Sequence, residues 1–301
     1  MIKKISFLVL LAIIAGVIWQ LKTSRPNAVD DSKPLLLVSV LPQKQIVKKI
    51  AGDEYEVVAL VPPGFNPATY DPTPTQIKQI SRADIYFMIG QIAFEKLYVN
   101  QFLDTNSNLQ ITDTSIDNEL RSIESHTHDD QDLDHAESAI DPHVWLSPPM
   151  VKQQARIIKD TLINKYPSHK DVFEKNYQQL ALQLNELDSQ LRTAFAPIAG
   201  QTMLVYHPAF GYLADEYGFV QEHIEIEGKK PSVIQLKEII AEAKADKVKV
   251  IFVQQQFNQD SAKAIADNID GVVVTIDPLN PDYLGSLKNM ANTISDQLQI
   301  N

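Results

Sequence analysis

The chain contains no cysteine. That excludes a thiolate metal site, a thiol nucleophile, any disulfide and lipid attachment through a cysteine. Only 10 of its 301 residues are glycine, and no Gly-rich phosphate loop ending in Lys-Ser/Thr occurs. A His-Glu-x-x-His metalloprotease helix and a Gly-x-Ser-x-Gly nucleophile elbow are also missing. Positive charge is scarce: 27 Lys and Arg stand against 38 Asp and Glu, a formal net charge of −11. No basic face is available to offset phosphate repulsion, so nucleic acid is not expected as a partner. An acidic surface suits a cation ligand, although many soluble proteins share it.

What is present begins with Lys3 and Lys4, followed by an apolar run from Ile5 to Trp19. Two lysines and an apolar segment of this length fit an export signal. No clear small-x-small cleavage site follows, so the run is also a candidate for a retained membrane anchor. It is short for a span of about 20 residues. Residues 1–33 are therefore assigned to a signal or anchor and a polar tether, and the rest of the chain to the periplasm or the outer face of the cytoplasmic membrane.

From Leu35 the pattern alternates between buried-strand runs and helical segments, the signature of a parallel α/β layer. Leu35–Leu41, Glu54–Val61 and Asp84–Met88 read as strands in the first half. Thr202–Tyr206, Val220–Ile226, Val248–Val253 and Val272–Ile276 read as strands in the second. Between them, Phe173, Tyr177, Leu180, Leu184, Leu187, Leu191 and Phe195 recur at steps of three or four, one apolar stripe on a long helix. The expected fold is α/β: two lobes, each with a mainly parallel sheet and flanking helices, joined by one long rigid helix. The lobes are placed at 34–168 and 197–301, with the connecting helix at 169–196. Ser122 to Glu137 has almost no large apolar residue and is rich in Asp, Glu and His, so it reads as a surface loop.

Three polar residues stand out because each is next to a proline or followed by one. His143 lies in Asp141-Pro142-His143-Val144-Trp145-Leu146-Ser147-Pro148. His207 follows an apolar run in Met203-Leu204-Val205-Tyr206-His207-Pro208, and Asp277 follows another in Val273-Val274-Thr275-Ile276-Asp277-Pro278. Ligands of open parallel sheets bind beyond the carboxyl ends of the strands. His207 and Asp277 should therefore project from one sheet edge, with His143 facing them across an interlobe cleft. Two imidazoles and a carboxylate suit a zinc-like ion. Each residue also has an ordinary reading: a hydrogen-bonded loop histidine for His207, and an Asp-Pro turn for Asp277 and Asp141. His126, His128 and His135, set among Asp129, Asp130, Asp132 and Asp134, are either a weak metal-gathering loop or a solvated one.

Taken together, the segments resemble the metal-binding solute-binding proteins of bacterial ABC transporters, the zinc and manganese group. The Asp141–Pro148 stretch is similar to that family's Asp-Pro-His-x-Trp-Leu-x-Pro segment. Tyr206-His207-Pro208-Ala209-Phe210-Gly211-Tyr212 resembles its second histidine segment, and Glu227-Gly228-Lys229-Lys230-Pro231-Ser232 its Glu-Gly-Lys-x-Pro-Ser segment. Ile276-Asp277-Pro278-Leu279 resembles its C-terminal ligand segment. The resemblance implies His143, His207 and Asp277 as metal ligands in a cleft between two lobes. It also implies capture of Zn²⁺ for an ABC permease and its ATPase subunit, with no bond made or broken. A monomer is expected. Mn²⁺ prefers more oxygen ligands, and Fe²⁺ is a further, less favoured ion.

One position departs from the family. Its usual first ligand is a histidine in Pro-His-x-Tyr-Glu-Pro-Thr-Pro; here the segment reads Pro67-Ala68-Thr69-Tyr70-Asp71-Pro72-Thr73-Pro74. Ala68 coordinates nothing, which leaves a tetrahedral ion one position for water, for His126, His128 or His135, or for Glu227. Three ligands plus a water is also the arrangement of a catalytic zinc site, so a zinc-dependent hydrolase is the competing class. A degenerate family member serving as an adhesion or docking module is the third.

Overall fold

The computed structural model describes residues 33–123, 140–226 and 228–300. The N-terminal run, His126, His128, His135 and Glu227 lie outside the described residues. Among the described residues no helix is long and apolar enough to cross a membrane.

The first lobe carries β1 (Leu35–Val38), α1 (Leu41–Ala51), β2 (Glu56–Ala59), α2 (Pro74–Ile80), β3 (Ile85–Met88), α3 (Ala93–Thr105) and β4 (Gln110–Asp113). After residues 124–139, α4 (Pro148–Lys165) leads into the 26-residue helix α5 (Lys170–Phe195). The second lobe holds β5 (Thr202–Val205), α6 (Gly211–Tyr217), β6 (Val220–His223), α7 (Val233–Ala245), β7 (Val250–Gln254), α8 (Asp260–Ile269), β8 (Val272–Ile276) and α9 (Tyr283–Gln299).

Each lobe has one four-stranded sheet, in the orders β2-β1-β3-β4 and β6-β5-β7-β8. Every pairing is parallel. The central strands are continuous apolar runs because both faces are covered: all four residues of β1 and all five of β7 are buried. Strand order reverses between β1 and β3 and again between β5 and β7. These are the switch points where parallel sheets open a crevice for ligands at their carboxyl ends.

Helix α5 spans about 39 Å at 1.5 Å per residue. Its stripe of Phe173, Leu180, Leu184, Leu187, Leu191 and Phe195 is buried against α1, α4 and α9. Each such fully buried side chain contributes on the order of 2 kcal/mol. Helix α9 then closes the rear of the molecule, where Gln45 of α1 donates to Asp282 at 3.0 Å and accepts from the Leu284 amide at 3.1 Å. The two lobes are thus joined by one long connecting helix and tied a second time through α9, and residues 34–301 form one compact unit. Helices α3, α6 and α8 and strand β4 are present although the sequence pattern did not announce them.

Candidate metal site

His143 sits immediately before a 3-10 turn, Val144–Leu146, that leads into α4. Asp141 fixes it twice through one oxygen. Oδ1 accepts the His143 backbone N–H at 2.9 Å and lies 2.7 Å from Nδ1. Asp141 is fully buried and His143 is 8% exposed, so these bonds are shielded from competing water. Trp145 meets the imidazole edge-on, with ring centres 5.2 Å apart.

His207 lies two residues beyond β5, at the β5/β7 switch point. Gln254, the last residue of β7, grips its backbone from both sides: Oε1 accepts the His207 N–H at 3.2 Å, and Nε2 donates to the His207 carbonyl at 2.7 Å. Phe257 stacks on the imidazole with centres 4.8 Å apart and planes 20° apart. Nδ1 is hydrogen-bonded to Oε2 of Glu225, a buried carboxylate two residues past β6.

The two imidazoles meet edge to face, their Nε2 atoms 3.2 Å apart. Because each Nδ1 faces a carboxylate, it carries the proton and donates, which leaves both Nε2 atoms as bare lone pairs in the neutral form. Two lone pairs directed at one another repel unless an electrophile lies between them. Two Zn–N bonds of 2.0–2.1 Å at the tetrahedral angle would separate their nitrogens by about 3.3–3.4 Å. The spacing suits two nitrogens on one zinc ion, and a carboxylate behind each ring would orient it for that role. Burial pushes the His207 imidazole below its usual range, and neighbouring His143 adds to this, while Glu225 pulls the other way. The net effect favours the neutral ring, the form that coordinates metal.

Asp277 follows β8 at the same sheet edge, half-buried. Its Oδ1 accepts from Gln256 Nε2 at 3.0 Å and from the Leu279 amide at 3.1 Å. Its turn lies beside the His143 turn, since Trp145 Nε1 donates to the Pro278 carbonyl at 3.0 Å. Among the described residues, no group of three His, Asp or Glu is close enough to hold a metal ion, so Asp277 does not join the histidine pair in this arrangement. Ala68 is exposed, inside the short turn Pro67–Thr69 whose first N–H group is capped by Asn66. Sequence reasoning missed Glu225 and Gln254. Glu225 carried a usable signal, since it lies just beyond a strand of the same sheet, as His207 and Asp277 do.

The chain is similar to known zinc-uptake proteins. A family model described as "ZnuA: Zinc-uptake complex component A periplasmic" matches residues 36–297. The high-affinity zinc uptake system protein ZnuA of Bacillus subtilis (strain 168) is 26% identical over 288 residues, covering 88% of each chain. A crystal structure of ZnuA superposes with a TM-score of 0.81 at 32% identity, covering 88% of this chain and 99% of that one. A ZnuA deletion mutant with zinc bound gives a TM-score of 0.80 at 32% identity, over 88% and 98% of the two chains.

Proposed function

Since the chain belongs to the periplasmic zinc-uptake complex component A family, we propose that it captures Zn²⁺ through His143, His207 and Asp277 and delivers it to a membrane permease. Solute-binding proteins of ABC importers work with a permease and an ATPase subunit, outside the cytoplasm, and the family is one of transport, not of catalysis. The observation that carries the reading is the Nε2–Nε2 spacing of 3.2 Å, with each Nδ1 backed by a buried carboxylate. It supports two preformed ligands, completed when Asp277 turns its carboxylate from Gln256 toward the ion.

With alanine at position 68, the fourth coordination position falls to water; His126, His128 or His135 are the alternatives, with Glu227 behind them. Two imidazoles and one carboxylate favour Zn²⁺ over Mn²⁺ and Fe²⁺. Export is assigned to the N-terminal apolar run, which leaves the protein in the periplasm or held at the outer face of the cytoplasmic membrane, and the protein is taken to act as a monomer. The second tie through α9 argues for metal release by local movement of the site loops and not by wide hinge opening.

Titration calorimetry with zinc on the exported portion tests the assignment. H143A and H207A should each weaken binding by at least about a hundredfold, since each removes one of three protein ligands. Unchanged affinity in both variants would overturn it.

A further inference from the structure

Behind His143 lies an ion-pair arrangement that joins the two lobes. Asp141 uses Oδ1 for His143, while its Oδ2 is buried and accepts no hydrogen bond. The Arg121 guanidinium approaches that oxygen, Nη1 to Oδ2, at 3.5 Å. The same guanidinium reaches into the second lobe, its Nε 2.9 Å from Asp215 Oδ2 on α6. Tyr212, also on α6, donates from its hydroxyl to the Asp141 carbonyl at 2.8 Å and accepts the Arg121 N–H at 3.2 Å. The Arg121 carbonyl in turn accepts the Asp141 N–H at 2.9 Å.

Gly211 opens α6 directly beneath this pair. A Cβ built there would lie 1.5 Å from Arg121 Nη1, 2.6 Å from its Cζ and 2.9 Å from Asp141 Oδ2. The Gly211 backbone is not in the left-handed region, so the helix itself does not require glycine, and alanine is the better helix former. Space for the guanidinium and for the Asp141 oxygen it faces is the reason for glycine at this position.

We propose that Arg121 is a positioning residue for the metal pair. It neutralises the buried Asp141 carboxylate, holds its Oδ1 in line with His143 Nδ1, and so fixes the ring whose Nε2 faces His207. Gly211 is the residue that admits it. This inference rests on the zinc reading above. A fully buried carboxylate whose second oxygen makes no hydrogen bond is held in place by the cation beside it. Loss of that cation frees the carboxylate to rotate, and the imidazole follows. Asp215 anchors the guanidinium from the other lobe, so the metal site and the interlobe contact share one side chain.

The experiment compares zinc dissociation constants, by chelator competition, for the full chain and its R121A, G211A, R121A/G211A, R121K and H143A variants. The visible spectrum of the Co²⁺-loaded proteins at saturation is recorded alongside. R121A should weaken zinc binding about tenfold, as outer partners of metal ligands do. G211A should lose at least as much, because the new methyl group displaces the guanidinium and crowds Asp141 Oδ2. It adds only that one group, so it stands in should R121A fail to fold. The double variant should lose less than the two single losses combined, and R121K should recover part of the loss. The Co²⁺ bands of R121A and G211A should shift, which a loss of fold stability alone does not produce. Wild-type affinity and bands in R121A and G211A, or fully additive losses in the double variant, overturn the role of Arg121 while H143A still loses zinc. Wild-type affinity in H143A overturns the site itself and this inference with it.

Discussion

The indole of Trp145 donates to the carbonyl of Pro278 at 3.0 Å. One bond therefore joins the turn after His143 to the turn after Asp277, although 133 residues separate them. Both partners are buried, so neither finds water when the bond is broken. W145F should lower the unfolding free energy by about 2–3 kcal/mol, from the unpaired carbonyl and the lost ring volume. It should also weaken zinc binding, because Asp277 loses its registration with His143. Urea denaturation and zinc titration of the same variant check both; a destabilised protein with wild-type zinc affinity would detach the bond from the site.

Glu225 is the His207 counterpart of Asp141. E225Q preserves the shape and an acceptor for Nδ1–H but removes the charge that raises the basicity of the ring. Zinc affinity should fall by about tenfold, and by up to about a hundredfold in E225A, where the acceptor is lost too. Competition against a chelator measures both. Equal affinities in all three proteins would show that the carboxylate does not tune the ligand.

Glu95 gives a pH dependence of stability separate from the metal. It is fully buried at the start of α3, and burial lifts its carboxyl from 4.5 to about 7. Hydrogen bonds from Ser39 and from the amides of Ile89, Gly90 and Ile92 oppose the rise without cancelling it. The native state therefore holds a proton between pH 4.5 and about 7 that the unfolded chain has released. Its stability should decline as pH climbs through that window, by up to about 3 kcal/mol. E95Q should lack this component. Unfolding free energies of the metal-free proteins at pH 5 and pH 8 provide the test, and identical pH slopes in the two proteins would contradict it.

The parts of the fold that a sequence pattern reveals are those where burial is continuous or one-sided. Strands β1 and β3, and β7 up to Gln254, are unbroken apolar runs, and α5 shows one long stripe. The missed elements lack such contrast. In α3, Leu97 is 70% exposed while Glu95 is buried, so polarity and burial are inverted. In α8 three of the five buried residues, Ser261, Ala262 and Ala266 beside Ile265 and Ile269, are too small to stand out. Strand β4, Gln110–Asp113, is an edge strand with no fully buried residue.

The site divides along the same line. His143 and His207 were legible because proline-framed segments mark them. Their convergence, with Nε2 atoms 3.2 Å apart across 64 residues of sequence, is a tertiary property. Glu225 had a strand-end position as its signal, but Gln254 acts by gripping the His207 backbone, a contact that no local spacing encodes. Arg121 acts from the other side of residues 124–139, across a contact that only the folded lobes create.

The assignment of the ion and its ligands is tested most directly by a crystal structure of the zinc-loaded protein with anomalous data on either side of the zinc edge. The expected result is one strong anomalous peak about 2.0–2.1 Å from Nε2 of both His143 and His207, with the Asp277 carboxylate turned onto it at a similar distance. The same map identifies whatever occupies the position that Ala68 leaves open. A peak bound elsewhere, or full zinc occupancy with the two imidazoles apart, would contradict the site.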